Sequence, residues 1–110
     1  MMATLTETNI TLNSIAMTCF ENVRWVMVGV NEESKQVAIK PVSKREVDLQ
    51  LVPKEQLQKI SIGKGYARIT NKSIMSEIQR VAQKPLVSAK CGCEFDENEG
   101  YLILHLEDLA

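Results

Sequence analysis

Apolar positions alternate with polar or small ones most clearly between Val23 and Pro41, VRWVMVGVNEESKQVAIKP. Val26, Val28 and Val30 share one parity, and Trp25, Met27 and Gly29 the other. A period of two is the pattern of a strand, whose side chains point to opposite faces in turn. Beyond the polar turn Asn31-Glu32-Glu33-Ser34, Val37 and Ile39 alternate with Gln36, Ala38 and Lys40. The stretch predicts a β-hairpin. Pro41 has no N–H to donate, so the strand ends there or lies at an edge. A looser copy, VSAKCGCEFDENEGYLILHLE, runs from residue 87 to 107, with Asp96-Glu97-Asn98-Glu99-Gly100 as its turn.

The remaining pattern is less even. Residues 1–8 carry no apolar period and are expected to form a loose start. Asn9-Ile10-Thr11-Leu12 predicts a short strand, and Asn13 or Ser14 is placed to cap a helix. Ile15, Ala16, Cys19 and Phe20 then fall on one face of two helical turns. In 42–65, Val47, Leu49 and Leu51 alternate with Asp48 and Gln50, which reads as extended, while Pro53-Lys54-Glu55-Gln56-Leu57 suits one helical turn. Ile60 and Ile62 alternate again before the turn Gly63-Lys64-Gly65. Tyr66 to Thr70 predicts a strand. Ile74, Met75, Ile78, Val81 and Ala82 have helical spacing, and Pro85 stops that helix.

The chain carries a trace of self-similarity. Ile10-Thr11-Leu12-Asn13-Ser14-Ile15 aligns with Ile69-Thr70-Asn71-Lys72-Ser73-Ile74 at an offset of 59. The hairpins align at an offset of 65, with Val37-Ala38-Ile39 on Leu102-Ile103-Leu104. The expected organisation is one domain, 1–110: a β-α-β-β unit at 9–41, a linker at 42–65, and a second β-α-β-β unit at 66–107. The expected fold is α+β, a mostly antiparallel sheet with two helices packed on one face. Val26, Val28, Val30, Val37 and Ile39, with Cys91, Cys93, Phe95, Leu102 and Leu104, should form the face under the helices. The opposite face would carry Trp25, Met27, Ala38, Lys40, Lys90, Tyr101, Ile103 and His105. That set is too apolar for a plain solvated surface and suggests contact with a partner.

This order of elements resembles two saddle-like families, the duplicated TATA-binding-protein fold and the double-wing DNA-binding domain of a phage activator. The resemblance lies in element order over most of the chain, and no residue role transfers with it. It implies DNA contact through exposed strands. ITLNSI and VAIKP also look like stretches of small uncharacterised bacterial proteins, for which no activity is implied.

Composition narrows the classes. The chain has 110 residues, 45% hydrophobic and 25% charged, with a formal charge of −1. No apolar run approaches a membrane span, and the first residues lack the basic and apolar regions of a secretory signal. A cytoplasmic location is expected. Charge is uneven: residues 40–90 hold eleven Lys or Arg against four Asp or Glu, and residues 91–110 hold six acids and no base. The acidic end pairing with the basic middle is the ordinary explanation. A stripe of Lys40, Lys44, Arg45, Lys64, Arg68 and Lys72 touching phosphates is the functional one.

The chemistry-bearing residues form no complete set. Cys91-Gly92-Cys93 has only Cys19 and His105 as distant companions, whereas a zinc site needs about four ligands. Core packing is the preferred reading of the thiols. His105 is the sole histidine, and surface placement is preferred to an acid–base role. Gly63-Lys64-Gly65 matches no phosphate-loop pattern and reads as a turn. No catalytic residue, metal or cofactor is implied. The expected function is a non-enzymatic binding or assembly module, a homodimer through the open sheet face. The alternative is a nucleic-acid-binding regulator using the basic middle and the exposed strands, with Trp25 as a stacking platform. A small-ligand binder is the second alternative.

Overall fold

A computed structural model describes residues 1–109. Eight strands are present: β1 (Met2–Leu5), β2 (Asn9–Leu12), β3 (Trp25–Asn31), β4 (Gln36–Val42), β5 (Gln58–Ile62), β6 (Ala67–Thr70), β7 (Ala89–Asp96) and β8 (Tyr101–His105). Helices α1 (Ser14–Met17), α2 (Lys44–Asp48) and α3 (Lys72–Ala82) join them. The strands do not form an open sheet. They close into a barrel in the order β1-β2-β6-β5-β3-β4-β8-β7, with β7 pairing back to β1.

Closure corrects the expected architecture of a sheet with two helices on one face. Val26, Val37, Ile39, Cys91, Leu102 and Leu104 are buried. They point into the barrel and meet the inner residues of the opposite wall, Ala3, Leu5, Ile10, Leu12 and Ile69, within one core. The wall across the barrel thus covers them, a role that two short helices would not have filled. Residues 1–8, expected to be loose, supply β1, which closes the ring. Segment 42–65 contains α2, a 3-10 turn at Lys54–Gln56, and the barrel strand β5.

The helices form where local chemistry favours them. Asn13 caps α1 and Asn71 caps α3, each side-chain oxygen accepting a backbone N–H at 3.0 Å. Ser43 and Glu46 form a reciprocal capping box that starts α2. α3 buries Met75, Ile78 and Val81 and ends at Gln83, whose backbone is left-handed. The ladder between β3 and β5 has only two residue pairs, Trp25–Lys59 and Val26–Gln58. Beyond it α3 lies along β3. Asn71 donates to Gln58 at 2.7 Å, Ile74 sits by Val28, and Arg80 pairs with Glu32 at the far turn.

The registers obey a two-fold relation. Exchanging β1 with β5, β2 with β6, β3 with β7 and β4 with β8 turns the eight strand pairings into themselves. Leu5–Ile10 corresponds to Ile60–Ile69, and Ala3–Cys91 to Val26–Gln58. Two pairs join a residue to its own counterpart and so mark the axis: Ile10–Ile69 across β2–β6, and Ala38–Ile103 across β4–β8.

Candidate functional site

A closed antiparallel barrel turns alternate side chains outward, so its registers give a map of the outer surface. Across β3, β4, β8 and β7 that map has three rows. One joins Met27 to Lys40 and Tyr101 to Asp96. The next is continuous: Gly29, Ala38, Ile103, Glu94. The third joins Asn31, Gln36 and His105. Gly29 and Ala38 are small neighbours, so a hollow runs there, lined also by Tyr101 and Ile103. α3 borders this wall along β3, where Ile74 lines a further hollow with Met27, Gly29, Ala38 and Lys40.

Six of the eight residues expected on an interaction face share this wall: Met27, Ala38, Lys40, Tyr101, Ile103 and His105. Trp25 and Lys90 lie at its margins. Trp25 is opposite Lys59 of β5 and 36% exposed. It also borders a cleft of about 580 Å³ shared with Arg24, Val42, Lys44, Val47 and Asp48. Lys90 is opposite Thr4 on β1. His105 Nε2 lies 2.9 Å from a Glu94 carboxylate oxygen.

The basic residues are scattered over four places, with Lys40 on β4 of the wall just described. Lys44 and Arg45 are on α2, Lys44 at the Trp25 cleft. Lys72 opens α3 and borders a hollow with Glu7. Lys64 and Arg68 stand on the other wall, built from β1, β2, β6 and β5. There Thr4 and Thr11 are paired, Thr11 is paired with Arg68, and Arg68 with Ser61. The Arg68 guanidinium lies 5.2 Å from the centre of the Tyr66 ring, and its Nε donates to Thr11 Oγ1 at 3.4 Å.

The thiols are packing groups. Burial pushes the Cys91 thiol up to about 12 and that of Cys93 to about 11, so both stay protonated and poorly nucleophilic. Among the described residues no three His, Cys, Asp or Glu side chains converge on a metal position. No helix among them is long and apolar enough to cross a membrane.

Comparison with known protein families, curated proteins and solved structures finds no match for this chain.

Sequence reasoning overlooked Thr11 and Ser61, the cross-strand partners of Arg68, and Thr4 and Lys59 elsewhere on the same wall. A signal was available: the four strand segments MATL, NITL, QKISI and ARIT contain no Asp or Glu. Only the strand order shows that they form a single wall.

Proposed function

We propose that this protein is a non-enzymatic assembly module that pairs with a second copy of itself through the outer wall of β3, β4, β8 and β7. The observation that carries the reading is the row Gly29, Ala38, Ile103, Glu94. A hollow at Gly29 and Ala38 lies directly beside a ridge at Ile103. A copy turned about an axis parallel to the strands sets each Ile103 over the other's Ala38. It also brings each Lys40 towards the other's Tyr101 and Asp96. One surface thus supplies both knob and hole, as a two-fold interface requires. An apolar centre with a polar rim is the composition such interfaces favour.

The test is light scattering coupled to size exclusion, across roughly 1 to 100 µM. The wild-type chain is expected at twice its own mass. Ile103→Glu places an unpaired charge at the centre and should weaken the dimer at least about a hundredfold with folding retained. A wild-type monomer at the highest concentration overturns the reading.

A further inference from the structure

The opposite wall of the barrel has a different chemistry. From β7 through β1, β2 and β6 to β5, outward residues form one continuous row: Lys90, Thr4, Thr11, Arg68, Ser61. At about 4.8 Å per strand the row spans roughly 19 Å. β1, β2, β5 and β6 contribute no carboxylate. Lys59 projects outward on β5 beside Trp25, and Lys64 stands in the β5–β6 turn. Among the described residues, Asp and Glu side chains pair with Arg80 or contact His105, and pair with none of these four cations. They are therefore available to an anion.

Two aromatic rings flank the row. Tyr66 is 38% exposed and Trp25 36% exposed. The Tyr66 ring is held in place, since it lies against Gly63, where a Cβ would collide with it, and the Arg68 guanidinium covers part of it. Arg68 is in turn oriented by Thr11. A continuous outward row, four cations without carboxylate partners among the described residues, three hydroxyl side chains and an exposed ring at each side make a specific combination. Cations and hydroxyls suit phosphate and sugar oxygens, and rings suit unpaired bases.

We infer that the β1-β2-β6-β5 wall binds single-stranded nucleic acid, with Arg68, Lys59, Lys64 and Lys90 on the phosphates and Tyr66 and Trp25 against bases. A paired duplex hides its bases from such rings, so the single strand is the better fit. The inference does not rest on self-association: Trp25 and Lys90 stand on β3 and β7 at the margins of that other wall, away from its central row at Ala38 and Ile103.

The test is fluorescence anisotropy with labelled oligo(dT) and oligo(U) of roughly a dozen nucleotides, against a duplex of equal length and a heparin oligosaccharide. Binding of either single strand is expected at about 50 mM salt. It should fall towards about 200 mM with a logarithmic slope near −2 to −3, for three or four phosphate contacts. A preference between the two oligomers tells DNA from RNA. Arg68→Glu should cost at least about tenfold and flatten the slope. The double variant Lys59→Glu with Lys90→Glu should do the same. Tyr66→Ala should weaken binding several-fold with the slope unchanged, because stacking carries no salt dependence of this kind. Ile103→Glu should leave binding intact. Absence of binding at the lower salt overturns the inference. So does heparin or duplex binding as tight as the single strands, or affinity that ignores Tyr66→Ala.

Discussion

Lys35 and Gly100 occupy the same place in two hairpin turns, 65 residues apart, and both hold a left-handed backbone, with φ of 52° and 77°. Asn31 and Asp96 open these turns in the same way, each accepting a backbone N–H on its side-chain oxygen. Glycine adopts this conformation without penalty, and lysine does so against its Cβ. Lys35→Gly should therefore stabilise the fold by about 0.5–1 kcal/mol. The Lys35 carbonyl keeps its bond from the Leu106 N–H. Urea unfolding measures the gain, and a loss of stability would count against this account of the turn.

Filling the hollow beside Ile103 should block self-association without harming the fold. A Cβ at Gly29 meets no atom within 4 Å. Gly29→Leu is expected to keep the thermal midpoint and to weaken the dimer at least about tenfold. Sedimentation velocity on the variant checks both.

Alkaline pH should expose the buried thiol. Burial, then the charges of Cys93 and Asp108, push Cys91 from 9.0 to about 12. Between those values the unfolded chain gives up this proton and the folded chain keeps it. Stability from this group is thus full below pH 9 and is lost as pH rises, by about 1.4 kcal/mol per pH unit. Cys91→Ala should be less stable at pH 8 but should show a shallower decline from pH 9 to 11. Urea midpoints at stepped pH compare the two slopes.

The short β3–β5 ladder should be the first part of the barrel to open. Asn71 braces it by capping α3 and holding Gln58. Asn71→Ala is expected to cost about 1–2 kcal/mol. Hydrogen exchange should quicken more at the Ile60 amide, which bonds the Arg24 carbonyl, than at amides of the β7–β8 ladder. Equal acceleration everywhere would mean the brace is not local.

What was readable in the chain was what is local. The parity of Val26 and Trp25 follows from a period of two, and the Asn13 cap and the α3 spacing follow from helical geometry. β1 was missed because MATL carries no alternation strong enough to stand alone; it pairs with the neighbouring β2 on one side, but its other partner, β7, lies more than 80 residues on. Leu49 and Leu51 suggested an extended segment in 42–65, yet they are exposed. The spacing Ser43-Lys44-Arg45-Glu46 was the better guide, because a capping box satisfies two backbone donors at once. The placement of the basic residues was not legible for a related reason: Lys64 and Lys72, close in sequence, stand in the β5–β6 turn and on α3.

Closure of the ring through β1 and β7 also bears on when the protein can fold. Met2 to Leu5 find their second neighbour only at Ala89 to Gly92. A ribosome must have added the residues up to Gly92 before that partner exists, and until then β1 has one bare flank exposed to other chains.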